Sequence, residues 1–263
     1  MDEAQRKNGG GHMDFENEIK LLAEIVRESK RMVFFGGAGV STESGIPDFR
    51  SADGIYHKDL GKTFRPEEMV SRSFFLQHIR EFYDFYKGHL IYPSAMPNAA
   101  HKVLAKWEEQ GRLLSIVTQN IDGLHQAAGS KRVWELHGSV KRNFCISCHA
   151  FYDENFILES ESVPACKECG GIVKPDVVLY EEGLDENILM NAIGDIRSAD
   201  VLMIGGTSLA VNPAAALIRY FRGKHMILIN KGETYADEHA DLVIHAPIGE
   251  VLQRVYLRQF PPK

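Results

Sequence analysis

Arg31-Met32-Val33-Phe34-Phe35-Gly36-Gly37-Ala38-Gly39-Val40-Ser41 decides the fold. A short apolar run that stops abruptly in glycines reads as a strand buried on both faces, delivering the chain into a tight turn. The pattern returns at Val201-Leu202-Met203-Ile204-Gly205-Gly206. Three further apolar runs, residues 113–117, 226–229 and 242–244, alternate with stretches of helical spacing. Such alternation predicts a parallel sheet covered on both faces: an α/β fold with a doubly wound, Rossmann-like parallel sheet.

The helices can be placed by their caps and periodicity. Residues 15–28 put Phe15, Ile19, Leu22 and Ile25/Val26 on one face. Residues 99–110 start after Asn98, a good N-cap, and stop at Gly111, while residues 186–197 form another helical stretch. No repeat of 20 to 50 residues is visible.

With 263 residues, 44% of them hydrophobic, the chain can form one large domain and a small appendage. A net charge of −6 creates no overall field for a phosphate backbone, so nucleic acid is not expected as a ligand. No apolar run reaches the length of a membrane span, and the first residues lack the charged-then-apolar order of a secretory leader. A cytoplasmic protein is expected, with no membrane partner. Residues 1–12 are polar, aperiodic and rich in glycine, and read as a tag remnant or disordered leader.

All four cysteines fall in one segment, as Cys145-x-x-Cys148, seventeen residues, then Cys166-x-x-Cys169. This is the spacing of two knuckles converging on one Zn²⁺ through four thiolates; a closed shell of that kind holds structure together rather than catalysing. Four unrelated buried thiols or a redox pair are the competing readings. Residues 138–176 are therefore predicted to be an inserted zinc-ribbon module, too small for its own core. The remaining chain, residues 13–137 and 177–263, forms the Rossmann-like domain. Residues 46–90 contribute a cofactor loop and a helical insert to the small lobe, and 46–63 read as a mobile loop.

The stretch Gly37-Ala38-Gly39-Val40-Ser41-Thr42 departs from a dinucleotide fingerprint, which requires glycine where Thr42 stands. Its two early glycines still let a backbone approach a pyrophosphate, with the start of a following helix offering free N–H groups, though a plain tight turn has the same composition. Gly205-Gly206-Thr207-Ser208 repeats the arrangement at the carboxyl edge of the sheet. Gln119-Asn120-Ile121-Asp122 leaves another strand at that edge, as ligand contacts or as turn formers. His137 lies where the large domain passes into the cysteine module. A cleft between lobes suits a base of ordinary pKa, about 6.5, although a packed or surface histidine is the simpler alternative.

These residues, together with Ser44-Gly45-Ile46-Pro47-Asp48-Phe49-Arg50, Thr118-Gln119-Asn120-Ile121-Asp122, His137-Gly138, Lys174-Pro175-Asp176-Val177-Val178, Gly206-Thr207-Ser208 and Ile229-Asn230, closely resemble the sirtuins, in the order of that family. The resemblance spans about residues 14–258 and is to the bacterial type. It implies an NAD⁺-dependent protein-lysine deacetylase that releases nicotinamide, transfers the acetyl group to ADP-ribose and acts as a monomer on acetylated lysine in proteins, with structural Zn²⁺ on Cys145, Cys148, Cys166 and Cys169. Gly37, Ala38, Gly39, Gly206, Thr207 and Ser208 are implied at the pyrophosphate, with Arg50 close by. Asn230 is implied at the adenine-side ribose, and Gln119, Asn120 and Asp122 at the nicotinamide end, where Phe49 shields the reactive face. His137 is implied as the general base, Asn120 as a second catalytic residue acting at the nicotinamide end, and Val178 as the backbone partner of the acyl-lysine amide.

Relatives that prefer succinyl or malonyl groups carry Tyr and, three residues on, Arg in the acyl pocket; here Tyr83 and Tyr86 occupy those places, which implies neutral acyl groups. Where many relatives carry Phe-Gly-Glu, this chain has Tyr180-Glu181-Glu182. Two other readings share the NAD⁺ site: a mono-ADP-ribosyltransferase, and a non-enzymatic NAD-sensing zinc-ribbon protein.

Overall fold

The structure, a computed structural model, describes residues 14–51, 54–57 and 64–261. The polar leader and part of the 46–63 loop lie outside the described residues. Among the described residues, nine strands follow in chain order: β1 (Met32–Gly36), β2 (Leu113–Thr118), β3 (Val133–Glu135), β4 (Gly138–Cys145), β5 (Phe151–Tyr152), β6 (Val173–Val177), β7 (Val201–Gly205), β8 (His225–Ile229) and β9 (Leu242–Ile244).

Six of them form one sheet in the order β3-β2-β1-β7-β8-β9, every neighbouring pair parallel. The chain winds outward from β1 in one direction and from β7 in the other, so the topological switch lies between these two strands. Ligands of open parallel sheets sit at the carboxyl end of such a switch, and both glycine turns leave there.

Alternate residues of β1 serve opposite layers. Met32 and Phe34 pack into one core with the helices Phe15–Glu28, Ala99–Glu109 and Ile248–Gln259, while Val33 and Phe35 pack into the other with Glu186–Ser198 and Ala214–Tyr220. The strand begins one residue later than its sequence suggests, because the Asp200 carboxylate accepts the Ser29 hydroxyl and the Lys30 and Arg31 N–H groups and holds them in a turn. Caps fix the helices as expected: Asp14 accepts the Asn17 N–H and Asn98 that of Ala100. Gly111, at φ +69°, ends the second of these helices.

One expectation is corrected. No long helix follows the first glycine turn; the chain instead makes two 3₁₀ turns, Ala38–Val40 and Thr42–Ser44. Gly45 then adopts φ +84°, and Pro47 follows, a combination that stops helix propagation.

The zinc-ribbon segment forms a three-stranded antiparallel sheet, β5-β4-β6. Its apolar face shares one core with the helices Pro66–Met69, Arg72–Gln77 and Ile79–His89: Cys145, Ile157, Cys166 and Val173 lie with Phe74, Phe75, Phe82 and Tyr86. Among the described residues, no helix is long and apolar enough to cross a membrane.

Candidate active site and metal centre

The two glycine turns meet backbone to backbone. Gly37 N–H donates to the Gly205 carbonyl at 3.3 Å and Gly39 N–H to that of Gly206 at 2.8 Å. A Cβ on Gly39 would stand 2.8 Å from the Gly206 carbonyl oxygen, so side chains are excluded from the seam and main chain is left at its surface. Ala38 and Gly39 are half-buried there and Ser208 is exposed. Gln119 Nε2 donates to Thr207 Oγ1 at 3.1 Å, which links the second turn to the end of β2. Asn230 leaves β8 at the same edge, its Nδ2 donating to the Gly232 carbonyl.

Beside this seam runs a buried polar chain. Asn120 Nδ2 donates to Ser41 Oγ at 3.1 Å, Ser41 Oγ donates to Asp122 Oδ2 at 2.6 Å, and Asp122 Oδ1 accepts the Leu124 N–H. Ser41 is the residue that sequence reasoning left without a role. It stands in a recognisable block, but its partners lie about eighty positions away.

His137 faces the same loop. Its Nδ1 lies 3.0 Å from the Gln119 carbonyl oxygen, an acceptor only, so Nδ1 carries the proton and Nε2 keeps its lone pair. Burial lowers the His137 pKa below the ordinary histidine value, and the Gln119 hydrogen bond opposes this in part. The His137 carbonyl accepts the Val178 N–H at 3.0 Å. Next to it, Gly138 has φ +74°, and any Cβ would overlap the Asp176 carbonyl. Arg142, also without a role in the sequence reading, bridges Glu135 at 2.7 Å and Asp176 at 2.8 Å, tying the end of β3 to β6 on either side of His137.

Phe49 packs its ring 5.4 Å from that of Tyr56, and Arg50 Nη2 donates to the Tyr180 hydroxyl at 3.3 Å. Tyr83 and Tyr86, by contrast, are enclosed in the small-lobe core rather than set on an open wall, because the aromatic residues Phe82, Tyr83, Phe85 and Tyr86 pack between the neighbouring helices and the zinc-ribbon sheet. Tyr83 already donates its hydroxyl to the Val173 carbonyl, whereas the buried Tyr86 hydroxyl has no partner among the described residues. Burial raises both phenol pKa values, so both stay neutral.

The four cysteine sulfurs converge within 4.8 Å of one another, with Cys145 and Cys169, and Cys148 and Cys166, each 3.5 Å apart. Zinc–thiolate bonds of about 2.3 Å in a tetrahedron require sulfurs about 3.8 Å apart, so the set fits Zn²⁺ and leaves no open position. The Ser147 N–H approaches Cys145 Sγ at 3.4 Å and the Tyr152 hydroxyl approaches Cys166 Sγ at 3.2 Å, donors suited to thiolate charge.

A doubly wound sheet with main-chain seams at its switch point, a histidine between two lobes and a four-thiolate staple define a nucleotide-dependent enzyme built on a Rossmann-like domain. The sequence model of the Sir2 family matches residues 37–213, and the chain belongs to that family. It is 63% identical over 241 residues to the NAD-dependent protein deacetylase of Clostridium perfringens, covering 91% of this chain and 99% of the relative. A Sir2 protein solved with deacetylated p53 peptide and 3′-O-acetyl ADP ribose superposes with a TM-score of 0.83 at 39% identity, covering 92% of this chain and 98% of the other. A Sir2–p53 peptide–NAD⁺ structure superposes with a TM-score of 0.79 at 38% identity, over 92% and 98% of the two chains.

Proposed function

We infer that this chain is an NAD⁺-dependent protein-lysine deacetylase. The observation that supports the reading is the His137–Gln119 contact, which leaves Nε2 unprotonated on a residue bonded to the loop that carries Asn120 and, through its backbone, to Val178. When bound, NAD⁺ supplies a ribose that loses nicotinamide and accepts the acetyl group; with one water consumed overall, nicotinamide, free lysine and O-acetyl-ADP-ribose are formed. Main-chain groups of Gly37, Ala38, Gly39 and Gly206, with Thr207 and Ser208, hold the pyrophosphate. Arg50 adds its charge, and Asn230 binds the distant ribose. Gln119, Asn120 and Asp122 orient the nicotinamide end, and Phe49 keeps water from it. Val178 has committed its N–H to His137, so its carbonyl receives the N–H of the acyl-lysine amide. His137 Nε2 takes a proton from a ribose hydroxyl as that oxygen approaches the acyl carbon.

Zinc on the four thiolates orders the ribbon and takes no part in the chemistry. We assign the ribbon to residues 138–176, and the enzyme to the cytoplasm as a monomer. Incubation with an acetyl-lysine peptide and NAD⁺ tests the reading. Equal amounts of nicotinamide and deacetylated peptide are expected; nicotinamide without deacetylation would favour an ADP-ribosyltransferase, and neither product an NAD-sensing binding protein.

A further inference from the structure

Two adjacent departures from the Phe-Gly-Glu pattern add polar anchors that phenylalanine and glycine lack. Tyr180 is fixed first by its backbone: its N–H donates to the Val70 carbonyl and its own carbonyl accepts the Arg72 N–H, both at 3.0 Å. Glu181 adopts φ +75°, a conformation natural to glycine, and its carboxylate accepts the Ser73 N–H and hydroxyl at 2.9 Å each, which holds the turn in place. The segment that begins at Val178 is thus a firm strut rather than a loose loop.

From that strut the Tyr180 hydroxyl reaches across to the cofactor side. Arg50 Nη2 donates to it at 3.3 Å, and the Tyr56 hydroxyl lies 3.2 Å away. The receiving side is itself folded: Tyr56 N–H donates to the Phe49 carbonyl, Ile55 N–H to that of Asp48, and the Arg50 guanidinium lies 5.5 Å from the centre of the Tyr56 ring. We propose that Tyr180 is a positioning residue that couples residues 178–182 to residues 48–51 and 54–57, so that acetyl-peptide and NAD⁺ each tighten the binding of the other. A peptide amide held at Val178 steadies the strut, the Tyr180 hydroxyl transmits that order to Arg50 and Phe49, and reciprocity of coupled binding requires the same effect in reverse. This rests on the deacetylase reading above.

Tyr180→Phe removes one oxygen and restores the residue of many relatives, at a position 38% exposed where folding is not at risk. The KM for NAD⁺ is measured at low and at saturating acetyl-peptide. In the wild type it falls as peptide rises. In Tyr180→Phe the KM at saturating peptide should be roughly three- to tenfold higher, the scale of one ordinary, partly exposed hydrogen bond, with kcat within about twofold. Tyr56→Phe should lose part of the same effect, and the double variant should lose no more than Tyr180→Phe alone. Unchanged coupling in Tyr180→Phe, a loss confined to kcat, or a wild-type KM independent of peptide would each overturn the proposal. Failure of the wild type to deacetylate at all would instead overturn the functional reading.

Discussion

His137 places its Nδ1 3.0 Å from the carbonyl oxygen of Gln119, the residue that immediately precedes Asn120. One peptide unit therefore fixes both the tautomer of the proposed base and the start of the polar chain proposed for the nicotinamide end. His137→Ala should lower kcat/KM about 10²–10⁴-fold while leaving NAD⁺ affinity within a few fold, since the base acts after binding. A variant that keeps more than about a tenth of the wild-type rate would contradict the assignment.

As the proposed base, the same histidine should set the acid limb of the pH profile. Its pKa is lowered by burial, and only the neutral form can accept a proton, so activity is present above that value and is lost as pH falls through it. The limb should therefore lie below the ordinary histidine value of about 6.5. Rates on one acetyl-peptide across pH 5 to 8 locate it; a midpoint above 7 would speak against His137.

Ser41 joins Asn120 to Asp122 through one hydroxyl, so Ser41→Ala leaves two buried polar groups without their shared partner. The cost of such groups, about 1–3 kcal/mol, predicts a loss of roughly five- to a hundredfold in kcat/KM with little change in peptide KM. Equal losses in both constants would show that the hydroxyl serves the fold rather than the nicotinamide end.

Behind this chain lie His101 and His125, fully buried with ring centres 4.8 Å apart. Neither His125 nitrogen has a partner among the described residues, and burial lowers both pKa values, that of His101 to about 4. Unfolded histidines bind protons below about 6.5, so between there and about 4 the unfolded chain binds more protons and stability falls as pH drops. His125→Leu should flatten that slope and raise stability at pH 7 by about 1–2 kcal/mol, because an unpaired polar group is replaced by an apolar one. Urea midpoints from pH 4 to 7 read both effects; an unaltered slope would refute the account.

What was legible in the sequence follows from how local each signal is. β1 and β7 announce themselves because both faces are buried and every residue is apolar up to the glycines. β3, only Val133-Trp134-Glu135 at the sheet edge, has neither length nor pattern to set it apart from a turn. The cysteine cluster is legible because four thiols converge through two local spacings. Ser41 to Asp122 and Arg50 to Tyr180 span 81 and 130 positions, and no local rule connects them. The His101–His125 pair is likewise made by two helices that only the fold brings together.

Removing zinc should disorder more than the ribbon. Cys145 and Cys166 are members of the core that holds Phe74, Phe75 and Phe82, and structural zinc contributes on the order of 10 kcal/mol to ordering such segments. Chelated protein should be cut by protease first between residues 146 and 172, then within the helices packed on that core, and should lose deacetylation with it. Full activity in protein shown by elemental analysis to be metal-free would refute this.

Desuccinylating relatives pair a distal carboxylate with Tyr and Arg, and here Tyr86 stands in the second place. The Tyr83 hydroxyl is already donated to the Val173 carbonyl, so binding a carboxylate through it means giving up an existing hydrogen bond. Tyr86 keeps an uncommitted hydroxyl, yet it is fully buried, and burial raises its pKa, the mark of surroundings that disfavour negative charge. A carboxylate brought there without a cation carries a large desolvation cost, which one phenol offsets only in part. Acetyl-lysine, and butyryl-lysine with its equally neutral chain, should therefore be processed at least about a hundredfold faster than succinyl-lysine, a difference of about 2.7 kcal/mol. Measurement of kcat/KM on one peptide bearing each group decides it, and succinyl at or above acetyl would sink the argument. Tyr86→Arg supplies the missing cation and should raise succinyl activity while lowering acetyl activity. If that variant folds, as judged by its thermal midpoint, and gains no succinyl activity, Tyr86 does not face the acyl chain.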